Sequence, residues 1–284
     1  MEIKRKGDGK GRETLHRNVS GDMEYLTFPS LEETGMVRHL FSTRTGGVSE
    51  GIFASMNLSY ARGDRKEAVD ENFRRVAAVL GCGVGDFVCS DQTHTVNVRR
   101  VTESDKGKGV TVPKDYTDVD GLITDEKGIV LATFYADCVP LYLADTKNRA
   151  IGLSHSGWRG TAGRMGARTL EAMKESFGTE AKDVVAAVGP SICGDCYEIS
   201  GDVAQRFRQE FPQEEWEDFL VPKGGDKYLL DLWKANYYVF LAAGVPAGNI
   251  HVTDICTCCN PEYLFSHRAS HGKRGNLGAF LGLI

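Results

Sequence analysis

The sequence predicts an α+β fold in which mixed sheets are covered by helices on the outside. Two observations predict it: apolar segments of strand length alternate with amphipathic segments of helix length, and no repeat, low-complexity tract or Pro/Ser-rich linker divides the chain. The composition, 41% hydrophobic and 26% charged over 284 residues, is ordinary for a globular protein. We therefore expect a single domain over residues 21–284, preceded by a flexible leader at residues 1–20.

The first half of the chain is rich in predicted strands. "MEYLTFPSLEE" alternates apolar and polar residues and predicts a strand with a turn at Pro29, and "VRHLFSTR" predicts a second strand. "DRKEAVDENFRRVAAVLG" places its apolar side chains on one helical face and ends at Gly81, a typical C-terminal cap. "DFVCSDQTHTVNVRRVT" is β-rich, a polar loop covers residues 105–117, and three or four apolar strands follow by residue 156.

Predicted helices are more frequent in the second half. Apolar residues at helical spacing predict a helix over residues 161–177, and "SGDVAQRFRQEF" predicts another, capped by Ser200. "VVAAVGPSIC" predicts a strand between them. "KYLLDLWKANYYVFLAAG" predicts an amphipathic helix closed by Gly244, and strands follow in "NIHVTDICTCC" and at the C-terminus.

Charge and composition exclude several classes of protein. A net charge of −5, with both signs interspersed, argues against nucleic-acid binding. No apolar stretch approaches the roughly 18 residues of a membrane span. The first residues are charged and Gly-rich without an apolar core, so they do not predict a secretory signal. Eight cysteines without such a signal suit a reducing compartment, and we expect a cytoplasmic protein.

Three reactive side chains interrupt the apolar strands: His94, Cys138 and His155. Each stands at the end of a predicted strand, where a rigid scaffold can aim it into a cleft. Two imidazoles and a thiolate are ligands that Zn²⁺ accepts, and three protein ligands leave the fourth position open. From the spacing alone, three unrelated buried side chains explain the pattern better. Cys138 beside Asp137 also suits a cysteine nucleophile with a general base.

Arg44 and the remaining cysteines carry weaker signals. Arg44 precedes two glycines whose backbone amides could cradle a phosphate or carboxylate, but an ordinary Gly-Gly hairpin with a solvated arginine explains the pattern better.

Five cysteines that could form a four-thiolate zinc site fall in two clusters: Cys193, Cys196, Cys256, Cys258 and Cys259. The cramped second cluster favours buried free thiols instead.

Taken together, motifs from Phe41 to the C-terminus resemble the YfiH-type laccase-domain family. They stand in the family's order: "STRTGGVSEGIFASMNLSY", "QTHTVNV", "DVDGLIT", "ADCVPLYLAD", "HSGWRGTAGRMG", "VGPSICGDCYEI" and "DICTCCNPEYLFSHRASHGKRG". The resemblance implies an α/β sandwich with mixed sheets and a cysteine-hydrolase-like topology.

The resemblance also implies the site. Zinc would be held by His94, Cys138 and His155, and Arg44 would contact phosphate or a substrate oxygen. Trp158 and Arg159 are expected to line this site and to begin the following helix. The tail "HRASHGKRG" departs from the family's compact R-R-D-G-x-T-G-R pattern, so no role is transferred to its arginines.

The implied activity is that of a zinc-dependent purine nucleoside phosphorylase acting on adenosine, inosine, guanosine and methylthioadenosine, with phosphate as co-substrate. Adenosine deamination is also implied, and it suits an open Zn²⁺ that activates water. The H-x-E and P-C-x-x-C deaminase signature is absent, so the acid must come from elsewhere, and Asp137 is the candidate. We expect catalytic roles for Arg44, Asp137 and Cys138.

Two other activities stay open from the resemblance. One is a hydrolase that edits muramyl-peptide precursors of the cell wall with Cys138 or a zinc-activated water. The other is a copper-dependent polyphenol oxidase. The residues argue against the oxidase, because none of the seven histidines forms an His-x-His pair and no methionine follows Cys138 within a short loop.

Overall fold

The computed structural model describes residues 2–6 and 14–284. The strands are β1 (His16–Ser20), β2 (Met23–Thr27), β3 (Val37–Ser42), β4 (Phe87–Cys89), β5 (Val98–Arg100), β6 (Gly121–Thr124), β7 (Val130–Tyr135), β8 (Val139–Asp145), β9 (Ala150–Ser156), β10 (Val184–Val188), β11 (Glu198–Ser200), β12 (Leu220–Gly224), β13 (Lys227–Leu230), β14 (Ile250–Val252) and β15 (Leu277–Leu283). The α-helices are α1 (Pro29–Glu32), α2 (Lys66–Leu80), α3 (Trp158–Ala162), α4 (Met165–Phe177), α5 (Gly201–Glu210), α6 (Gln213–Phe219) and α7 (Leu232–Ala242).

Two six-stranded sheets form the centre of the fold. The first has the order β1-β2-β3-β15-β7-β4 and the second the order β14-β10-β8-β9-β6-β5, while β11, β13 and β12 form a small third sheet. Most neighbours are antiparallel, but β4 pairs with β7, β5 with β6 and β10 with β14 in parallel. The expected mixed α/β architecture is therefore confirmed.

The two large sheets pack face to face and carry helices on their outer sides. Along β15, Leu281 packs between the sheets, whereas its neighbour Phe280 packs with side chains of α2. Along β8, Tyr142 packs between the sheets, whereas Leu141 packs with side chains of α4 and α7. Because both faces of these central strands are buried, their sequences are continuous apolar runs without polar alternation.

The expected leader does not extend to residue 20. Residues His16–Ser20 pair with β2 along their whole length. The strand is mostly exposed, so it carries no apolar alternation by which the sequence could reveal it. The backbone N–H groups of Lys4 and Lys6 also donate to Asn260 Oδ1 and to the carbonyl of Asp254, both at 2.7 Å. Met1 and residues 7–13 of that leader lie outside the described residues.

The helix expected over residues 161–177 is two helices. α3 ends at Gly163, and Arg164 has a positive φ of 60° before α4 begins. The apolar spacing runs through this break, so periodicity alone did not show it. By contrast, α2 ends as expected at Gly81, which takes the left-handed conformation with φ of 63°.

The helix expected from Lys227 begins five residues later, at Leu232. The first residues of the expected helix form β13 instead. Asp231 separates this strand from the helix by accepting hydrogen bonds from the backbone N–H groups of Trp233 and Lys234. Pro29 likewise begins α1 and does not form a turn, since proline suits the first helical position.

Within the described ranges, no helix combines the length and the apolar character needed to cross a membrane.

Candidate active site

Four chain segments converge where the two large sheets approach each other. His94 lies in the loop between β4 and β5, Asp120 precedes β6, Cys138 lies between β7 and β8, and His155 belongs to β9. β6, β8 and β9 are neighbours in one sheet, with Pro140 opposite His155. Strand pairing therefore brings together residues that are far apart in the chain.

The three donors expected to bind a metal form one cluster. The ligand atoms of His94, Cys138 and His155 all lie within 4.8 Å of one another. Nε2 of His94 lies 3.9 Å from Sγ of Cys138, and the two imidazole rings are 4.9 Å apart at an angle of 83°. His94 is exposed, Cys138 half-buried and His155 buried, so the cluster opens on one side to solvent. Such a set can hold a tetrahedral metal and leave a position for substrate.

Asp120 orients the cluster, and the sequence did not single it out. Its Oδ1 lies 2.7 Å from Nδ1 of His155, and its carboxylate also accepts the backbone N–H groups of Thr93, His94 and Thr95. Burial alone raises the pKa of Asp120, but the hydrogen bonds from His155 and Thr95 outweigh it, so the pKa lies below its usual value. A carboxylate behind a histidine is the usual support of a metal ligand. Asp120 is the second aspartate of the motif "DVDGLIT", so the sequence comparison with the family contained the signal that could have identified it.

Cys138 and His155 shift each other's protonation. Burial raises the pKa of the Cys138 thiol, but the charges and hydrogen bonds of His155 and His94 lower it to about 6. Burial lowers the pKa of His155, but the Cys138 thiolate and Asp120 raise it to about 9. At neutral pH the metal-free cluster therefore favours a thiolate beside an imidazolium. The same thiolate serves either as a nucleophile or as a ligand.

Asp137 holds the backbone that presents Cys138. It has a positive φ of 88°, and its carboxylate accepts hydrogen bonds at 2.7 Å from the Thr257 hydroxyl and from the Arg268 backbone N–H. Its own carbonyl accepts the N–H of Ile192 at 3.0 Å. The structure therefore places Asp137 beside the cluster with both carboxylate oxygens engaged by protein groups.

Two cavities meet at the cluster. The larger, of about 510 Å³, is lined by polar and charged side chains that include Arg62, Gln92 and Arg274. The smaller, of about 300 Å³, has the aromatic walls Trp158 and Tyr197. Both are lined by four of the same residues: His94, Ala136, Cys138 and Arg274. Arg159 also lines the smaller cavity, and Trp158 begins α3.

Arg44 does not line either cavity. Its Nε and Nη1 atoms donate to the carbonyls of Ala54 and Pro261 at 2.9 and 2.6 Å, and its guanidinium lies 4.7 Å from the centre of the Phe265 ring. Burial lowers its pKa. In this structure Arg44 ties two loops together, whereas Arg274, which sequence reasoning passed over, faces the cluster.

The structure also brings four cysteines together that the sequence favoured as unrelated buried thiols. The ligand atoms of Cys193, Cys196, Cys256 and Cys259 lie within 4.8 Å of one another. Cys258 is not part of this group. The two pairs lie 63 residues apart in the chain, so no local spacing shows that they meet.

Comparison with known proteins shows similarity over most of the chain. The family model described as multi-copper polyphenol oxidoreductase laccase matches residues 38–284. The purine nucleoside phosphorylase YlmD of Geobacillus stearothermophilus is 38% identical over 245 residues, which are 85% of this chain and 88% of that protein. A purine nucleoside phosphorylase of Deinococcus radiodurans is 38% identical over 247 residues, covering 87% and 89%.

Solved structures show the same fold. The crystal structure of YlmD from Geobacillus stearothermophilus superposes with a TM-score of 0.88 at 34% identity and covers 96% of this chain and 99% of that one. The Bacillus licheniformis hypothetical protein YfiH gives a TM-score of 0.86 at 32% identity, covering 93% and 97%.

Proposed function

This chain belongs to the multi-copper polyphenol oxidoreductase laccase family, and we propose that it is a cytoplasmic purine nucleoside phosphorylase whose reaction takes place at Cys138. Its substrates would be adenosine, inosine, guanosine and methylthioadenosine together with phosphate. The observation that carries the proposal is the cluster of His94, Cys138 and His155 at the junction of two cavities. The relatives that bear the name purine nucleoside phosphorylase support it.

The residues of the cluster fit a zinc ion. The donor set is two imidazoles and a thiolate, and Asp120 engages Nδ1 of His155 so that Nε2 is the nitrogen available to a metal. The proximity of the imidazoles favours the thiolate form of Cys138, which metal binding requires. When bound, zinc would act as a Lewis acid between the two cavities. Copper is the alternative ion for the same donors.

Arg274 is our candidate for binding phosphate. Its Nε atom is buried and has no hydrogen-bond partner among the described residues. Burial and the positive charge of Arg62 lower the pKa of Arg274 to about 10, so it stays protonated at neutral pH. Nη1 of Arg274 already donates to the Gly275 carbonyl and to Oδ1 of Asn276, so Nε is the donor that an anion in the cavity would satisfy. In phosphorolysis a phosphate oxygen attacks the anomeric carbon of the ribose while the bond between that carbon and the purine nitrogen breaks, and the departing purine gains the proton that the phosphate loses.

The smaller cavity suits the purine. Trp158 and Tyr197 line it with aromatic surface, and Ile192 and Leu232 add apolar surface beside them. Planar bases pack favourably on such walls. With the base there and phosphate near Arg274, the ribose would lie over Cys138, which lines both cavities.

Adenosine deamination is a second activity that we propose for the same site. It needs an acid near the purine, and Asp137 lines the smaller cavity. Both of its carboxylate oxygens already accept hydrogen bonds from Thr257 and Arg268, which suits a residue that positions Cys138. This engagement favours phosphorolysis over deamination.

One observation favours a further candidate. The ligand atoms of Cys138 and His155 lie within 4.8 Å of each other, and their shifted pKa values favour a thiolate beside an imidazolium, the pair that a cysteine hydrolase needs. In a muramyl-peptide precursor, the thiolate would attack the amide carbon and the imidazolium would protonate the departing amine. The cysteine-hydrolase-like topology stays a prediction that belongs with this candidate.

The test is product chromatography with adenosine in the presence and absence of phosphate. Adenine and ribose 1-phosphate formed only with phosphate would support phosphorolysis, whereas inosine formed without phosphate would show deamination. Cys138→Ala should lose activity and about one metal ion per chain relative to the unaltered protein. Cys82→Ala, a half-buried cysteine outside both clusters, is the matched control. Full phosphorolysis by Cys138→Ala would overturn the proposal.

A further inference from the structure

We propose that Cys193, Cys196, Cys256 and Cys259 hold a structural zinc ion, a second metal site independent of the cluster at Cys138. Their ligand atoms lie within 4.8 Å of one another, and Sγ of Cys196 lies 3.5 Å from Sγ of Cys259. In a tetrahedral site with Zn–S bonds of about 2.3 Å, neighbouring sulfurs are about 3.8 Å apart. The four sulfurs are thus close to the positions that one zinc ion requires.

Strand pairing creates this site from two C-x-x-C segments. Cys193 and Cys196 follow β10, whereas Cys256 and Cys259 follow β14, and β10 and β14 are parallel neighbours. Parallel strands bring the loops after them to the same edge of a sheet. Beyond the strands, Ser191 and Cys256 continue the parallel pairing as an isolated bridge.

The backbone around Sγ of Cys256 is arranged to support a thiolate. The N–H groups of Cys193 and Cys259 point to Sγ of Cys256 at 3.3 and 3.4 Å. The first segment is closed by a turn in which Cys196 N–H donates to the Cys193 carbonyl at 3.0 Å. Hydrogen bonds from backbone N–H groups to ligating sulfur stabilise its negative charge and orient it.

The N-terminal segment adds a positive charge. The Lys6 ammonium lies 2.8 Å from Asp195, within the first C-x-x-C segment, and interacts electrostatically with Cys193 and Cys259. Four thiolates and one Zn²⁺ carry a net charge of about −2, which Lys6 partly offsets. Lys4 reaches the residue after the second segment, since its N–H donates to Asn260.

The donor set and burial suit a structural metal site, for which we propose zinc. Four sulfur donors in a tetrahedron are typical of zinc or an iron–sulfur centre, and a site with four protein ligands has no open position for substrate. Cys193 and Cys256 are buried, and Cys196 and Cys259 are half-buried, so the site is closed on its inner side.

The zinc would also stabilise the two loops that hold Asp137 beside the active site. Ile192, next to Cys193, donates its N–H to the Asp137 carbonyl at 3.0 Å. Thr257, next to Cys256, donates its hydroxyl to the Asp137 carboxylate at 2.7 Å. Both loops that the zinc joins therefore hold the residue before Cys138. The proposal predicts a less ordered active site when this zinc is removed.

The experiment measures zinc and iron by mass spectrometry on the full-length protein and its variants. Cys138→Ala, which loses a ligand only at the other cluster, should retain about one zinc per chain. A Cys193→Ser and Cys196→Ser double variant should contain about one zinc fewer than the unaltered protein, and Cys258→Ser should be unchanged. Zinc-free Cys138→Ala protein, iron in place of zinc, or full zinc in the double variant would overturn the proposal.

A second measurement does not depend on the folding of the double variant. In native Cys138→Ala protein, the four thiols should resist a disulfide reagent. When a mercurial is added, it should bind the four sulfurs and displace the zinc, so that free zinc appears in step with the mercurial bound. Cobalt in place of zinc should show the thiolate charge-transfer absorption of a four-sulfur site. Rapid reaction of all four thiols without zinc release, or two disulfides found by mass, would contradict the proposal.

Discussion

Asp120 and His155 are joined by two hydrogen bonds across adjacent strands. Oδ1 of Asp120 lies 2.7 Å from Nδ1 of His155, and the Asp120 carbonyl accepts the His155 backbone N–H at 2.7 Å. The backbone bond sets the position of the histidine, and the carboxylate sets the orientation of its ring. Because Asp120 also accepts the His94 N–H, one buried residue positions both imidazoles.

Replacing Asp120 with Asn should weaken metal binding at this cluster by about 10- to 100-fold, because the ring of His155 loses its charged partner. The measurement is the alkylation of Cys138, followed on its own peptide by mass spectrometry while zinc is titrated against a chelator. This readout is insensitive to the other cysteines. Asp125→Asn, at a carboxylate paired with Arg100 on the surface, is the control. Equal protection of Cys138 in both variants would refute the role of Asp120.

Gly157→Ala should abolish most activity while leaving the fold intact. A Cβ atom at this position would lie 2.9 Å from Cδ2 of His94 and 3.1 Å from Sγ of Cys138. The exposed His94 ring is the group that can move, and its displacement would separate it from Cys138. The measurement pairs nucleoside turnover with the melting temperature. Gly248→Ala, where the added atom meets nothing within 4 Å, should change neither quantity. Normal turnover by Gly157→Ala would show that His94 is not needed.

Arg274 and Arg44 should differ when phosphate is varied. Removing the Arg274 side chain should raise the KM for phosphate by about 10- to 100-fold, since a charged hydrogen bond contributes about 1.5–3 kcal/mol. Arg44→Ala should instead lower the free energy of unfolding by about 1–3 kcal/mol, because it leaves two loop carbonyls without their donor. Steady-state kinetics and urea unfolding of both variants check this, and the opposite pattern would return the phosphate role to Arg44.

His39 should make the fold sensitive to acid. Its Nε2 accepts the Phe28 N–H at 2.8 Å, and burial lowers its pKa from 6.5 to about 3. Below pH 6.5 the unfolded chain therefore binds a proton that the folded chain does not, and stability falls as the pH drops toward 3. The slope is at most about 1.4 kcal/mol per pH unit.

His39→Gln keeps an acceptor for the Phe28 N–H but does not titrate. Its free energy of unfolding, measured by urea denaturation, should fall less steeply below pH 6.5 than that of the unaltered protein. Other groups titrate in the same range, so the difference between the two proteins is the informative quantity. Superimposable pH profiles would rule out His39 as the source.

Much of the fold was predictable because its signals are local. The 15 residues of α2 place apolar side chains on one face and end at a glycine with positive φ, so sequence and structure agree. The break before α4 and the start of α7 were missed. The positive φ at the break falls on Arg164 and not on the neighbouring Gly163, which lies within a continuous apolar spacing, and the Asp231 cap lies inside an apolar run that suits strand and helix equally.

The sequence by itself picked out candidate reactive side chains. It marked His94, Cys138 and His155, since a histidine or cysteine at the end of an apolar strand stands out from its surroundings. It also determined the family, because the order of the motifs is a property of the chain. Both conclusions need only residue types and their linear order.

Only the tertiary structure decided which groups act together. Strand pairing places Asp120 behind His155 and joins two C-x-x-C segments that are 63 residues apart. It turns Arg44 toward loop carbonyls and leaves Nε of Arg274 buried near Cys138, with no hydrogen-bond partner in the part of the chain that the structure describes. Hydrogen bonds and metal ligation depend on distances of a few ångströms, and these arise from the register of strands that no local pattern specifies.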